Sequence, residues 1–217
     1  MVLLCLSDIH GEGTGLREIV AESRADVVVL VGDITHLGGH EDADSVLAPL
    51  IESGVKLLGV AGNMDAEGAR QYLEEKGLSI HGRGVILGPV GFMGLGGSNP
   101  TPFGTPFELQ AEEARKLLAE GLAGISGAGF KVLVSHAPPR GTKIDRGFAG
   151  MHVGSEEVRE FLLAGSVELC ISGHIHEAAG EDSLGRARCV NVGPFKSGRY
   201  ALIRIEGSRV ETIWRKR

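Results

Sequence analysis

The chain has 217 residues, of which 42% are hydrophobic and 23% are charged, a composition typical of water-soluble globular proteins. Its net charge of −6 argues against general binding to nucleic acid, which usually needs a basic surface. No apolar segment approaches the ~20 residues of a membrane span, and the first residues lack the basic start of a signal peptide. The three cysteines fall in apolar segments, where we expect buried free thiols. We therefore expect a cytoplasmic protein.

In the first third of the chain, apolar runs of strand length alternate with helical segments. Gly54 and Gly77 follow two of these helices at the position favoured for a C-terminal cap. Strands separated by helices are typical of βαβ units and predict a parallel sheet. The predicted order is strand Val2–Ser7, helix Leu16–Arg24, strand Asp26–Val31, helix Asp42–Ser53, strand Val55–Ala61 and helix Ala66–Lys76.

The middle of the chain changes character. The segments Leu78–His81 and Val85–Leu95 predict two strands joined as a hairpin by three residues that include two glycines. After a loop rich in glycine and proline, Thr105-Pro106-Phe107-Glu108 has the pattern of a capping box and predicts a helix that runs to about Leu122.

The βα pattern then returns, and the end of the chain is rich in strands. We expect strand Phe130–Ser135, helix Ser155–Ala164, and strands Val167–Ser172, Arg188–Val192, Tyr200–Glu206 and Val210–Arg215. No linker or repeat divides the sequence. We therefore expect residues 1–217 to form a single α/β domain, with two sheets packed against each other and helices outside.

Five of the apolar runs end at residues that can bind a metal ion. If these runs are parallel strands of one sheet, their carboxyl ends lie on one edge, and the side chains that follow them converge there. Such a crowded polar cluster is tolerable when a metal ion binds it. The converging residues are Asp8, His10, Asp33, Asn63, His136, His174 and His176.

The residue types and spacing indicate which metals these side chains would bind. Asp8 and His10 are two residues apart, as are His174 and His176, and in extended backbone such pairs point the same way. Oxygen and nitrogen donors without a thiolate suit Mn²⁺, Fe, Co²⁺, Ni²⁺ or Zn²⁺ rather than a structural zinc site. We expect Mn²⁺ first among these.

Seven donors are too many for one tetrahedral ion and suit two ions that share a bridge. A carboxylate bridges two cations well, and because Asp8 already has His10 beside it, Asp33 is the expected bridge. Two divalent cations with two carboxylates and a bridging hydroxide carry about +1 in total and attract anions. Two metals ~3.5–4 Å apart also fit the attacking and leaving oxygens of phosphoryl transfer.

These motifs resemble the signature of the calcineurin-like metallophosphoesterases, and in particular its small prokaryotic phosphodiesterase branch. The motifs follow the family's order and cover the chain from Asp8 to His176. They are Asp8-Ile9-His10, Gly32-Asp33-Ile34-Thr35-His36, Gly62-Asn63, Ser135-His136 and Gly173-His174-Ile175-His176.

The resemblance implies a four-layer α/β/β/α sandwich of two mixed sheets flanked by helices. It also implies a dinuclear hydrolase that acts on a small phosphate ester, with a bridging hydroxide as the nucleophile. The implied ligand sets share Asp33: one metal takes Asp8, His10, Asp33 and His176, and the other takes Asp33, Asn63, His136 and His174.

One departure from the family pattern bears on the substrate. The usual motif Gly-Asn-His, whose histidine is thought to protonate the leaving oxygen, is here Gly62-Asn63-Met64. A thioether has no proton to donate, which favours phosphodiesters with good leaving groups over monoesters. It also keeps open an alternative, a non-catalytic metal-binding scaffold that binds a protein partner.

Other residues are candidates for contacts with the substrate. His36, His136 and Asp33 are the expected catalytic residues, although His36 also fits an exposed loop position. Arg140 and Arg146, with Lys143 between them, are expected to hold phosphate oxygens together with Asn63, and solvated loop charges are the alternative.

Three further residues lie near the predicted site in sequence. Asp65 is expected to cap the helix that starts near Ala66. Phe103 and Phe107 are expected to pack in the core rather than to line a pocket. The sequence leaves the oligomeric state undetermined.

Overall fold

The structure is a computed structural model that describes residues 1–165 and 167–217. Eleven strands and five α-helices are present in this part of the chain. The strands are β1 Val2–Leu6, β2 Val27–Val31, β3 Lys56–Val60, β4 Gly84–Leu87, β5 Val90–Leu95, β6 Phe130–Ser135, β7 Leu169–Ser172, β8 Gly180–Leu184, β9 Ala187–Asn191, β10 Arg199–Glu206 and β11 Arg209–Lys216. The helices are α1 Leu16–Ser23, α2 His40–Glu52, α3 Glu67–Glu75, α4 Ala111–Gly124 and α5 Glu156–Leu163.

The strands form two mixed sheets. The first has the order β11-β10-β1-β2-β3, in which β1, β2 and β3 are parallel and the last two strands of the chain are antiparallel. The second has the order β4-β5-β6-β7-β9-β8, with four parallel central strands and an antiparallel strand at each edge. Both sheets therefore present several carboxyl-terminal strand ends on one side.

Successive side chains of the buried strands point to opposite faces of each sheet and so pack in different layers. On β1, Leu4 and Leu6 face helices α1, α2 and α3, whereas Leu3 and Cys5 face the second sheet. The outer face of the second sheet packs against α4 and α5. Three apolar clusters thus separate four layers, and the predicted α/β/β/α sandwich is confirmed.

The predicted helix start at Thr105 is wrong. Helix α4 begins at Ala111, because the segment before it pairs with other backbone instead: Glu108 forms a bridge with Ser98, and the N–H of Phe107 donates to the carbonyl of Asn63. The capping pattern is present only as a turn, in which the Glu108 carboxylate accepts from the backbone N–H and the hydroxyl of Thr105.

The predicted hairpin between residues 78 and 95 also differs. The turn lies at Gly88-Pro89, where β4 and β5 pair, and the segment Leu78–His81 instead forms single bridges, Ser79 with Gly59 of β3 and His81 with Gly94 of β5. Strand β8 was not expected, because its sequence Gly-Glu-Asp-Ser-Leu is polar and it lies at an edge.

The five strands that end in candidate ligands divide between the two sheets rather than belonging to one. Strands β1, β2 and β3 of the first sheet and β6 and β7 of the second direct their carboxyl ends to the same side of the sandwich.

Among the described residues, no helix has the length and apolarity that crossing a membrane requires. All three cysteines are free and buried, as the sequence predicts.

Candidate metal centre

Six of the seven predicted ligands lie in two groups at the shared edge of the sheets. Asp8, His10 and His176 form one group, and Asp33, His136 and His174 form the other. Within each group, one donor atom from each residue lies within 4.8 Å of the others. The seventh ligand, Asn63, joins the second group, because its Oδ1 lies 3.0 Å from Nε2 of His136.

The carboxylate of Asp33 lies between the two groups. Its Oδ1 is 3.4 Å from Nε2 of His136, and its Oδ2 is 3.7 Å from Nε2 of His10. The backbone N–H of Met64 donates to Oδ1 and fixes the carboxylate in this orientation. One oxygen therefore faces each group, as a bridging ligand requires.

The loops that carry the ligands have unusual backbone geometry. Asp8, His10, Asp33 and His174 all have φ between 50° and 67°, the left-handed region that residues with a side chain rarely adopt. Seven non-glycine residues of the described chain have positive φ, and four of them are these ligands. Such conformations persist where the surrounding structure imposes them, and they cluster at functional sites.

Glycines allow the loops to approach each other closely. A Cβ atom on Gly62 would overlap the backbone nitrogen and Oδ1 of Asp33, and one on Gly173 would overlap the hydroxyl of Ser7 and the carboxylate of Asp8. A larger residue at either position would displace a ligand. The glycines beside the ligands, which the sequence shows, therefore serve close packing of the site.

Hydrogen bonds on the far side of the ligands orient them. Nδ1 of His136 lies 2.8 Å from the carbonyl oxygen of Val31, which can only accept, so Nδ1 carries a proton and Nε2 faces the other donors of its group. Asp8 accepts from the hydroxyl of Ser7 and from the backbone N–H of His174 through one oxygen, while its other oxygen lies 3.1 Å from Nε2 of His176.

The electrostatics of the cluster follow from burial and from the two carboxylates. Burial would raise the pKa of Asp8, but the hydrogen bond from His176 and the nearby imidazoles outweigh it and lower the pKa. Burial alone would lower the pKa of His136, yet the charge of Asp33 raises it to about 9. Burial, followed by the charge on His136, lowers the pKa of His174 to about 4. The site thus favours ionised carboxylates with positive charge beside them.

Asp65 does not cap the helix, contrary to the prediction. Its carboxylate is fully buried and accepts from the backbone N–H groups of Ile34, Thr35 and Gly62, and from the hydroxyl of Thr35. Burial, with the charge of Asp33, raises its pKa to about 6. The side chain therefore ties the loop after β2 to the loop after β3.

The predicted cationic and histidine candidates occupy different positions. Nδ1 of His36 lies 3.4 Å from Nδ1 of His10, on the side of that ring away from Asp33. Arg140 lines the cavity beside the site, with its guanidinium 3.8 Å from Glu156. Arg146 and Lys143 are exposed and lie outside that cavity.

A cavity of about 850 Å³ opens beside the ligands Asn63 and His174. Met64 forms part of its wall, as does Phe103, whose residue surface is 85% exposed. The prediction that Phe103 packs in the core is therefore wrong. Phe107 does pack partly against the core, with the guanidinium of Arg70 4.4 Å from its ring centre.

The cavity also contains His152, a histidine for which the sequence predicts no role. His152 lines the wall, and its Nδ1 lies 2.7 Å from Oδ1 of Asp145, a fully buried carboxylate that also accepts from the backbone N–H groups of Gly141, Thr142 and Gly154. Among the described residues, Nε2 of His152 has no hydrogen-bond partner. The only sequence signal was a histidine seven residues after an aspartate in an irregular loop.

Comparison with known proteins identifies the family. The model for the calcineurin-like phosphoesterases matches residues 1–178, a segment that includes all seven candidate ligands. The chain belongs to this family. It is 34% identical over 200 residues to the uncharacterised protein MJ1162 of Methanocaldococcus jannaschii, and the match covers 89% of this chain and 88% of the relative.

Solved structures share the fold at low sequence identity. The protein TT1561 of Thermus thermophilus superposes with a TM-score of 0.78 at 19% identity, over 97% of each chain. A dimetal phosphatase from Danio rerio superposes with a TM-score of 0.74 at 15% identity, over 100% of this chain and 96% of its own. These similarities establish the fold of the sandwich.

The donor set fits divalent metal ions, on which the family depends. Each group offers a carboxylate and imidazole nitrogens, which suit divalent transition metals. The hydrogen bond from Nδ1 of His136 to Val31 directs Nε2 toward the other donors, where a cation would replace its proton, and further donors lie on strained backbone. Without a cation, two buried carboxylates would face each other across the site with only imidazolium charge to compensate.

Proposed function

We propose that this family member hydrolyses phosphodiesters at a dinuclear metal centre. The observation that carries the proposal is the placement of Asp33, with one carboxylate oxygen toward each of two donor groups. A site built for one ion would have no use for a second complete group of donors. The shared carboxylate also keeps the two ions close together, as phosphoryl transfer at a two-metal site requires.

The residues divide naturally between the two ions. One ion would be held by Asp8, His10, Asp33 and His176, and the other by Asp33, Asn63, His136 and His174. When bound, such ions lower the pKa of water and stabilise the charge that develops on the phosphoryl oxygens. Mn²⁺ is our first choice, with Fe, Co, Ni and Zn also compatible with these donors.

The preference for diesters is supported by the charge of the cavity. Arg140 is the only lysine or arginine on its wall within the described chain, and it is close to Glu156. A monoester dianion would gain more from a set of cationic clamps than a diester monoanion does. The rest of the wall has no lysine, arginine or carboxylate within the described chain, and its apolar side chains suit the second organic group of a diester.

We assign the proton donor for the leaving oxygen to His152. Met64 stands where the family usually has a histidine, and its thioether cannot donate. His152 lines the same cavity as Met64, with Nε2 free and Nδ1 held by Asp145. Asp145 acts as a positioning residue, since its contact with Nδ1 orients the imidazole and leaves Nε2 directed away from it.

His36 and Arg146 then have lesser roles than the sequence suggested. The contact between the Nδ1 atoms of His36 and His10 supports a role for His36 in orienting His10. Arg140 remains a substrate contact in this proposal, whereas the exposed position of Arg146 gives it no contact with the cavity. The buried free thiols support a reducing compartment such as the cytoplasm.

A metal-holding scaffold that binds a protein partner is the alternative from another class. Four ligands in strained backbone conformations are difficult to explain in a scaffold, because strain of this kind is tolerated where function depends on it. An open cavity that reaches two of the ligands favours a small substrate as well.

Metal analysis combined with an activity screen tests the proposal. Protein reconstituted with Mn²⁺ should retain close to two ions per chain, and it should hydrolyse bis(4-nitrophenyl) phosphate faster than alkyl monoesters. Exhaustive chelation should abolish hydrolysis, and added Mn²⁺ should restore it. Activity that survives chelation, or retention of a single ion, would contradict the two-metal proposal.

A further inference from the structure

The cavity beside the metal ligands is surrounded by exposed hydrophobic side chains. Eight large hydrophobic residues of the described chain are exposed, and four of them line this one cavity. Phe103 and Phe148 are 85% and 86% exposed, and Met151 and Leu37 are more than half exposed. Apolar side chains gathered in this way mark a binding site, whereas exposed hydrophobic residues scattered singly need no explanation.

Strained backbone conformations occur at and beside these exposed side chains. Leu37 has φ of 62° and Ala149, next to Phe148, has φ of 58°. Four of the seven non-glycine residues with positive φ are candidate metal ligands, and these two are among the remaining three. The same kind of strain thus occurs at the metal centre and at the rim of the cavity, which argues that the rim also serves a function.

Prolines stiffen the segment that carries Phe103. Three of them, Pro100, Pro102 and Pro106, line the cavity on either side of the phenylalanine. Proline restricts φ and reduces the conformational freedom of the unbound segment. A stiff wall loses less entropy when it binds a ligand than a flexible one does.

The chemistry of the wall defines the ligand. Besides Arg140 the wall has no lysine, arginine or carboxylate within the described chain, so it offers little to a second phosphate or to a carboxylate. Hydrocarbon surface from two phenylalanines, a methionine and a leucine suits an alkyl or aryl group. The metal ligands Asn63 and His174 lie at the same cavity, where the phosphate would bind.

We propose that the substrate is an amphiphilic phosphodiester, with its phosphate at the metal centre and a hydrocarbon group against the side chains of Phe103, Phe148, Met151 and Leu37. This inference rests on the proposed phosphodiesterase activity and adds the substrate class. A volume of about 850 Å³ is large for a cavity that accommodates a phosphate alone. It lies in the range of pockets that take a drug-sized organic molecule.

A series of diesters with one leaving group and a variable second group tests the proposal. The substrates are 4-nitrophenyl esters of methyl, butyl and octyl phosphate, used below the concentration at which they form micelles. Hydrolysis adds water across the P–O bond to the nitrophenyl group, releasing 4-nitrophenolate and an alkyl phosphate. Each fully buried methylene is worth about fourfold in binding, so kcat/KM should rise at least tenfold from methyl to octyl.

Variants of the apolar wall identify where the hydrocarbon binds. In the double variant Phe103→Ser/Phe148→Ser, the ratio of octyl to methyl kcat/KM should fall to near one. Both side chains are exposed, so their replacement should not disturb folding. Leu163→Ser is the matched control, because Leu163 is 51% exposed on α5 but lies outside the cavity, and it should keep the wild-type ratio.

Calorimetric titration with methylphosphonate and octylphosphonate gives a second readout that needs no turnover. Tighter binding of the octyl compound by wild type and by Leu163→Ser, but not by the double variant, supports the proposal. Equal affinity for the two phosphonates, or a preference that survives in the double variant, would overturn it. Absence of hydrolysis of every diester, with the calorimetric preference intact, would instead reject the phosphodiesterase activity.

Discussion

Replacing Asp65 by alanine tests whether one buried carboxylate holds together the loops that follow β2 and β3. The side chain accepts from three backbone N–H groups, those of Ile34, Thr35 and Gly62, and from one hydroxyl. A buried donor that loses its acceptor costs ~1–3 kcal/mol. For the three backbone donors together we therefore expect Asp65→Ala to lower the free energy of unfolding by ~3–9 kcal/mol, a large part of the ~5–15 kcal/mol typical of a folded protein.

Urea denaturation of metal-free protein provides the assay, because bound ions would add their own binding free energy to the stability. Asp42→Ala is the matched control: Asp42 is an exposed aspartate that accepts from a single backbone N–H, that of Gly39, at the start of α2. Its loss should cost ~1 kcal/mol. Asp65→Asn, which retains one acceptor oxygen, should fall between the two.

The comparison has a clear refuting result. If Asp65→Ala destabilises the protein no more than Asp42→Ala does, the three donors find other partners and the loops do not depend on this carboxylate. A large loss for the alanine variant, together with weaker metal binding when ions are restored, would show that Asp65 supports the ligands on both loops.

Two further predictions concern the site directly. Asp33→Asn removes a charge and an oxygen from between the two donor groups, whereas Asn63→Ala changes only one group. Mass spectrometric metal analysis after dialysis should therefore find that Asp33→Asn loses more metal than Asn63→Ala does. Loss of a single ion in both variants would contradict the bridging role. His152→Gln should slow the hydrolysis of esters with alkyl leaving groups by ~10²–10⁴-fold, and that of esters with 4-nitrophenyl leaving groups far less. Adding Met64→His should partly restore the rate with alkyl leaving groups, whereas His40→Gln on α2, outside the cavity, should slow neither reaction. An equal effect of His152→Gln on both leaving groups would exclude His152 as the acid.

The convergence of the candidate ligands was predictable, because strand topology brings these residues together. An apolar run that ends at a polar residue marks a strand end, and parallel strands direct such ends to one edge. Asp8 and His176 are 168 residues apart, yet Nε2 of the histidine lies 3.1 Å from the carboxylate. The division of the five strands between two sheets changed only which strands are neighbours, because both parallel regions point the same way.

The positions of Asp65, His152 and Phe103 were not predictable, because each residue lies in an irregular loop. Asp65 precedes a helix, where an aspartate usually caps, but its acceptor oxygens satisfy donors on a loop some 30 residues earlier. The contact of His152 with Asp145 depends on a loop without a repeating pattern. The outward position of Phe103 likewise depends on the path of its loop, which hydrophobicity alone does not indicate.

The strain in this protein explains how an open polar site can be held on a stable framework. Left-handed conformations of residues with side chains cost ~1–3 kcal/mol each, and six of them occur at the ligands and the cavity rim. Asp8, His10 and Asp33 directly follow β1 and β2, and these strands are almost wholly buried between apolar layers and hold the backbone in place. Leu37, which lines the cavity, lies in the same loop after β2 as Asp33, and Ala149 is next to Phe148 of the cavity wall. In the proposed function, the candidate metal centre and the apolar wall act together on a substrate that presents both phosphate and hydrocarbon.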